Sequence, residues 1–184
     1  MELVLSGGLL VRMEEEQQIK ADLSRSSILG FSLVVLLITL ATRRLRVLVI
    51  LALSLGCGLA ATMGLADLLY GEINQITGFM VAVLAGLGID FAIHLWSRYE
   101  LELAKEGDGG ARVSREASLR SMARAMGITF RPSLASGSTT AAAFLTLLMA
   151  EFVAFSQFGT LAAAGIGLTL LSCSTILPAL TMLL

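Results

Sequence analysis

The chain has 184 residues, of which 56% are hydrophobic, and its formal net charge is −1. A mean hydropathy of +0.85 leaves too little polar surface for a water-soluble domain of this length, so a lipid bilayer is the expected solvent. The small net charge indicates no particular partner, and no nucleic-acid partner is expected.

A polar N-terminal segment is followed by five apolar runs. Each run is near the length of about 17 to 25 residues that a helix needs to cross a bilayer. None alternates with the two-residue period of a lipid-exposed strand, and an open sheet edge would leave backbone groups unpaired in hydrocarbon. The sequence therefore predicts an all-α fold, with an extracytoplasmic polar helix or connector at residues 1–25 and a polytopic bundle of five transmembrane helices at residues 26–184. The five predicted spans are residues 26–42, 47–66, 73–96, 132–149 and 155–180.

Basic residues are concentrated in two connections between the predicted spans. Ten of the 13 Lys and Arg residues lie either between spans one and two or in residues 98–131, between spans three and four. Because basic residues accumulate in short cytoplasmic loops, both connections are predicted to be cytoplasmic, the second as an amphipathic loop. The N-terminus is then outside the cell (inner) membrane and the C-terminus inside. Residues 1–25 have no signal-peptide pattern, so we expect a preceding span and a chain that is a fragment of a longer protein.

Small residues four positions apart recur in three of the predicted spans. In lipid, this spacing lets helix backbones approach closely where apolar burial cannot drive association. The pattern predicts tightly packed helix faces. They are Gly56, Ala60 and Gly64 in span two; Gly78, Ala82 and Gly86 in span three; and Gly159, Ala163 and Gly167 in span five.

Two ionisable residues, Asp90 and His94, continue the row of small residues along span three, and we expect this row to face the bundle. Asp90 is eight residues from Arg98, hence about 12 Å inside the cytoplasmic end of the helix. An aspartate at the helix centre costs about 2.5 to 3.5 kcal/mol, and hydrocarbon favours its neutral, protonated form. Asp90 is therefore a candidate proton carrier and His94 a candidate relay. The alternatives are a structural hydrogen-bonding carboxyl and an interfacial imidazole.

Hydroxyl residues in span four are predicted to reach the depth of Asp90. This span is expected to begin at Pro132, a position that a helix tolerates at its start. Thr139 and Thr140 then lie at the same depth as Asp90, with Ser136 and Ser138 nearby. A hydroxyl can donate to a carboxylate or accept from the protonated acid, which suits a group that visits both states. The alternative is that these hydroxyls only pack between helices.

Residues 86–94, with the sequence GLGIDFAIH, and Ser97, Arg98 and Tyr99 beyond them resemble the fourth-helix signature of the resistance-nodulation-division (RND) superfamily, particularly its MMPL-type and hopanoid-exporter-like branch. Residues 138–145 resemble the fifth helix of that family, and residues 158–159 and 177–180 the opening and end of the sixth. The resemblance covers nearly the whole chain, as helices two to six of one transporter half. The chain is also similar to a sterol-sensing domain, which uses the same five-helix unit.

The resemblance implies proton-driven export of hydrophobic or amphipathic molecules, such as lipids, hopanoid-like compounds or drugs, with Asp90 carrying the proton. The implied partners are membrane lipids, a hydrophobic substrate, protons, and a second transporter half or further copies of the chain. Many relatives have a tyrosine directly after this aspartate, where the chain has Phe91, so a proton path through a phenol is not expected.

Enzymatic readings are disfavoured by the residues themselves. An intramembrane aspartyl protease needs two carboxylates in one site, and the other aspartates all fall outside the predicted spans. Ser-His catalysis has no signature, and Cys57 and Cys173 indicate neither a disulfide nor a metal site, so no cofactor is expected. The stronger alternative is a lipid- or sterol-sensing or scaffolding membrane module that does not transport.

Overall fold

A computed structural model of the protein describes residues 45–71, 75–106 and 114–183, together with Ser32. The predicted polar segment 1–25 and, apart from Ser32, the first predicted span lie outside these residues. The described part consists of helices without a β-strand, which confirms the all-α fold class. The helices are α1 (Leu45–Tyr70), α2 (Gln75–Glu106), α3 (Arg115–Leu145) and α4 (Val153–Leu183), with a short 3-10 helix (Thr146–Met149) between α3 and α4.

The local sequence explains two of the helix boundaries. α1 is followed by Gly71, whose φ of 70° is left-handed and whose N–H donates to the carbonyl of Asp67 over 2.8 Å. Glycine adopts this conformation without steric cost, which is why it commonly follows a helix end. α3 begins after Ser114, whose Oγ accepts a hydrogen bond of 3.2 Å from the N–H of Ala117 and caps the helix.

Three described helices, α1, α2 and α4, are long and apolar enough to cross a membrane. They contain the second, third and fifth predicted spans. The fourth predicted span corresponds to the second half of α3 and the 3-10 helix that follows. The first half of α3 carries most of the charge of this helix, so its average composition is more polar than that of the other three.

The predicted amphipathic connection 98–131 is largely helical, and its second part continues without a break into the fourth predicted span. α2 continues to Glu106 and α3 begins at Arg115, so Pro132 lies inside α3 rather than at its start. An internal proline removes one backbone hydrogen bond. Before the proline, the first half of α3 contacts the end of α2, and we call these two parts the arms: Tyr99 Oη and Ser118 Oγ are 2.6 Å apart.

The described helices pack around α4, which contacts α1, α2 and α3. One buried cluster joins α1, α2 and α4, and one buried hydrogen bond of 2.5 Å runs from Ser172 Oγ of α4 to the carbonyl of Ser54 in α1. Close helix approach depends on Gly165, where a Cβ would collide with Leu84 and Thr62. The buried cluster consists of Ala66, Met80, Leu84, Leu161, Ala162 and Ile166.

α2 has two faces of opposite character. One face, which we call the core face, is buried and consists of Met80, Leu84, Gly88, Ala92 and Leu95. The other, which we call the outer row, is exposed and consists of Ala82, Gly86, Asp90 and His94. Two residues along a helix turn it by about 200°, so the two sets lie on opposite sides.

The outer row was expected to be packed inside the bundle, but within the described residues it is exposed, and only Asp90 and His94 of this row line a groove beside another helix. Met80 and Leu84 are 0% exposed and repeat with the same four-residue spacing as the small residues. These larger apolar side chains fill the core and so turn the small row outward. The close contact in this helix is made by Gly88, where a Cβ would collide with Leu55 and Thr169.

The other residues predicted to pack closely have different surroundings. A Cβ at Gly159 would collide with the carbonyl oxygen of Phe144, and Ala163 is half-buried. A Cβ at Gly86 or Gly167 would meet no atom of the described chain within 4 Å, and the same holds for Gly56 and Gly64. Ala60 is exposed, and Gly78 lies in α2 where side-chain surroundings are not described.

Candidate functional site

A groove of about 390 Å³ lies between α2 and α3, and it contains the ionisable residues of the outer row. Asp90 and His94 come from α2, and Ile166 of α4 contributes to the lining. We call this cavity the Asp90 groove. Its lining residues are Leu87, Asp90, Phe91, His94, Ile128, Thr129, Pro132, Ser133, Ser136, Thr140 and Ile166.

Among the described residues, the titratable ones that line the groove both come from α2. Asp90 and His94 are four residues apart, one turn along the same helix face, and both are exposed. Among the residues that the structure describes, no ion pair or side-chain hydrogen bond involves Asp90. Its carboxyl group is therefore open to water and to whatever enters the groove.

The α3 side supplies hydroxyl groups in a regular row. Thr129, Ser133, Ser136 and Thr140 follow one another at spacings of four, three and four residues, which place them on one helix face. Thr129 Oγ1 donates to the carbonyl of Ala125 over 2.8 Å, and Thr140 Oγ1 donates to the carbonyl of Ser136 over 3.0 Å. The groove thus sets a carboxyl and an imidazole against a row of hydroxyls.

The structure brings together three of the four residues predicted to relay protons. Asp90, His94 and Thr140 line the same groove, as does Ser136. Thr139 does not line it; this side chain is exposed, and its hydroxyl donates to the carbonyl of Ser136 over 2.8 Å. Neighbours in a helix differ by about 100° in direction, so Thr139 and Thr140 cannot both face one groove squarely.

Two groove residues, Thr129 and Ser133, were not predicted as site residues. Thr129 precedes Pro132, which was expected to begin the helix, whereas Ser133 lies inside the predicted span 132–149 and shares a helix face with Ser136 and Thr140. The signal that could have found them is the spacing of four, three and four residues from Thr129 to Thr140, which continues across the proline.

The remaining lining of the groove is apolar. Leu87 and Phe91 come from α2, and Ile128 and Pro132 come from α3. A second cavity, of about 20 Å³, shares Phe91, Thr129 and Ser133 with the groove. A polar row on an apolar wall can bind water and an amphipathic molecule alike.

An ion pair joins the arms of α2 and α3 beyond the apolar spans. Glu106 of α2 pairs with Arg124 of α3 at 2.9 Å. Within α2, Glu102 pairs with Arg98 at 2.7 Å and with Lys105 at 2.8 Å. The hydrogen bond from Lys105, followed by the attraction of the neighbouring basic groups, holds the pKa of Glu102 below its ordinary value.

These features define a helical membrane protein with a polar groove between two of its helices. The chain belongs to the MMPL family, whose family model matches residues 3–184. This confirms the membership that the residues around Asp90 suggested, and it makes the chain part of a membrane transporter family.

Several curated relatives match along most of the chain. The Hopanoid transporter HpnN of Rhodopseudomonas palustris is 29% identical over 180 residues, which cover 98% of the chain and 20% of the relative. A putative membrane protein of Streptomyces coelicolor, SCO5905, is 33% identical over 165 residues, which cover 85% of the chain and 18% of the relative. The probable transport protein MmpL12 of Mycobacterium tuberculosis is 32% identical over 117 residues, which cover 64% of the chain and 9% of the relative. The chain spans about a fifth of the length of the first two relatives.

Proposed function

We propose that the chain forms part of the membrane domain of a proton-coupled exporter of hydrophobic or amphipathic molecules, in which Asp90 carries the proton. The observation that carries this proposal is the position of Asp90, exposed to a groove in the middle of an otherwise apolar stretch of α2. A carboxyl group at that depth is costly, and such groups usually mark ion or proton pathways.

The groove supplies what a proton carrier needs. The carboxylate of Asp90 accepts a proton from water, and His94, one turn away, can pass protons between that water and the acid. Hydroxyls such as that of Thr140 can accept from the protonated acid. Thr139 lies outside the groove, so its contribution is to the backbone of α3 rather than to the relay.

The proposed substrates are lipids, hopanoid-like compounds or drugs. Two relatives that match more than nine-tenths of the chain are named hopanoid transporters. The apolar walls of the groove and the lipid surroundings of the helices are compatible with a hydrophobic cargo. We propose the predicted orientation as well, with the N-terminus outside, the C-terminus inside, and the connection between α2 and α3 in the cytoplasm.

The proposed partner is a second transporter half or a second copy of the chain. The outer row is built from small side chains, and a Cβ at Gly86 would meet nothing in the described chain. Small residues are what a helix presents when another helix packs closely in lipid. A partner helix laid against this row would cover the open side of α2 beside Asp90.

The decisive experiment replaces Asp90 by asparagine, which keeps the size and hydrogen-bonding capacity of the side chain but cannot ionise. The complete transporter is reconstituted in proteoliposomes with a lipophilic fluorescent dye, and dye movement is measured against an imposed pH gradient. Asp90→Asn should reduce gradient-driven dye movement to the leak of empty liposomes while membrane insertion stays normal. Asp67→Asn, which removes an exposed acid outside the groove, is the matched control and should transport at the parental rate.

The second candidate, a lipid- or sterol-sensing module, makes the opposite prediction for the same variant. A sensor needs the shape of the groove but not the charge of Asp90. Parental dye movement in Asp90→Asn would remove the proton-carrier role and favour the sensor. Loss of dye movement in Asp67→Asn as well would show that the assay reports damage to the protein rather than proton coupling.

A further inference from the structure

The four hydroxyls on the α3 side of the groove are not equivalent. The hydroxyls of Thr129 and Thr140 donate to backbone carbonyls of their own helix, at 2.8 Å and 3.0 Å. Within the described residues, no such bond is formed by the hydroxyl of Ser133 or Ser136. The two serines occupy the middle of the row, and the two threonines occupy its ends.

This difference decides which hydroxyl can donate a hydrogen bond to the ionised carboxylate. A hydroxyl has a single proton to donate, and an ionised carboxylate can only accept. A threonine whose proton is already given to the backbone can accept from the protonated acid, but it must break a bond to donate to the carboxylate. A serine without that bond can do either.

We infer that Ser133 and Ser136, rather than the threonines, are the positioning residues that hydrogen-bond Asp90 in both of its protonation states, directly or through groove water. The inference rests on the proposed role of Asp90 as the proton carrier. In the ionised state, the serine O–H donates to a carboxylate oxygen. When a proton arrives from water, it binds a carboxylate oxygen, and the new O–H donates to the serine oxygen; release returns the proton to water.

Few other charged groups of the described residues lie close enough to affect the protonation of Asp90. In the part of the chain that the structure describes, His94 is the only other titratable residue that lines the groove; the lining residues of α3 and α4 carry hydroxyls or are apolar. The groove volume of about 390 Å³ leaves room for several water molecules, each of which can bridge polar groups across it. Loss of the serine hydroxyls should therefore act on Asp90 through hydrogen bonding alone.

The test is an infrared titration of the complete chain in neutral-lipid nanodiscs. The carboxyl stretch that disappears in Asp90→Asn identifies Asp90, and its growth with falling pH gives the titration midpoint. Donation to a carboxylate favours the ionised form, so Ser133→Ala/Ser136→Ala should move this midpoint upward by about one pH unit, a tenfold change in proton affinity. The stretch of the protonated acid should also move to higher frequency, because its hydrogen-bond acceptor is lost.

Two further variants keep the test specific. Ser138→Ala removes a hydroxyl of the same helix that points away from the groove and donates to the carbonyl of Ala135 over 2.9 Å, so the midpoint should not move. Ser133→Cys/Ser136→Cys keeps a weak donor of similar size, so its midpoint should lie between those of the parent and the alanine variant. The cysteine variant also serves if the alanine variant does not fold.

The outcomes separate the inference from the function on which it rests. If Asp90 titrates and the alanine variant has the parental midpoint and frequency, Ser133 and Ser136 have no such role, although Asp90 remains a proton carrier. If Asp90 of the parent does not titrate between about pH 4 and pH 9, both the proton-carrier role of Asp90 and the positioning role of the two serines are wrong. The serines would then have no second protonation state of Asp90 to stabilise.

Discussion

The two faces of α2 have the same spacing of residues, but one face is buried and the other is exposed. The core face, from Met80 through Leu84 to Gly88, is buried against α1 and α4, whereas the outer row, from Ala82 through Gly86 to Asp90, is exposed. Both rows repeat every four residues, so periodicity alone cannot distinguish them. Side-chain size can, because the larger side chains fill the core of the chain and leave the small ones for a different neighbour.

The comparison also separates two meanings of a glycine in a membrane helix. At Gly88 the absent side chain lets α2 approach Leu55 and Thr169. At Gly86, two residues earlier, the absent side chain leaves open space beside the groove. Gly88 belongs to the packing of the chain itself, and Gly86 would face the partner helix that we propose.

The largest expected effect comes from placing the same side chain on each face. Gly88→Leu forces a bulky group into Leu55 and Thr169 and should cost about 3 kcal/mol, which lowers the unfolding temperature by roughly 10 °C. Gly86→Leu extends into open space and should change it by no more than about 2 °C. Thermal unfolding of the purified chain in detergent checks both variants.

The same pair of variants sharpens the assignment of the outer row. Cross-linking of the complete transporter should show that Gly86→Leu weakens assembly with the partner although the chain itself is stable. Equal unfolding temperatures for Gly86→Leu and Gly88→Leu would contradict the division of α2 into two faces.

A smaller effect is expected where the core face continues beyond the apolar span. Tyr99 is buried, and Tyr99→Phe removes only the hydroxyl that lies 2.6 Å from Ser118 Oγ. The loss of one such hydrogen bond should cost about 1 kcal/mol and lower the unfolding temperature by roughly 3 °C. Tyr70→Phe, at the end of α1, is the matched control and should unfold with the parent. A parental unfolding temperature for Tyr99→Phe would mean that this contact does not join the two arms.

The smallest effect concerns Glu102, which lies on the core side of the same arm. Because its pKa is lowered from the ordinary 4.5 on folding, its contribution to stability is present above that value and is lost as the pH falls through the lower, folded pKa. Glu102→Gln should therefore lower the unfolding temperature slightly at pH 7, and the difference from the parent should vanish in strong acid. Glu100→Gln, at an exposed position of the same helix, is the control. A difference that persists unchanged into strong acid would assign the effect to packing rather than to charge.

The sequence was sufficient to predict the apolar helices that the structure describes, and it singled out Asp90 and His94 as candidates. Asp90 and His94 stand out because they are the polar exceptions in an apolar run, and this contrast does not depend on how the helix is turned. The prediction of which face of α2 is buried did depend on how the helix is turned about its axis. Small-residue spacing indicates where another helix could approach, but it does not say whether that helix belongs to the same chain.

The α3 side of the groove was predicted less completely for a related reason. Pro132 was taken as a helix start because proline is tolerated there, so one continuous helix from Arg115 to Leu145 was not expected. The contacts of Tyr99 and Arg124 that support one continuous helix lie between residues far apart in sequence. Thr129 could therefore not be predicted as part of the hydroxyl row, whereas Ser133 was already indicated by its spacing to Ser136 and Thr140.

Pro132 has a consequence for how far the groove can close. In a regular helix the N–H at this position would donate to the carbonyl of Ile128, and proline has no N–H, so this oxygen loses its partner within the helix. Ile128 and Pro132 both line the groove, so groove water can reach that carbonyl. If α2 and α3 closed until the groove was dry, an unpaired backbone oxygen would be stranded in hydrocarbon. The break in the hydrogen-bond ladder of α3 thus favours a groove that keeps water beside Ile128 and Pro132.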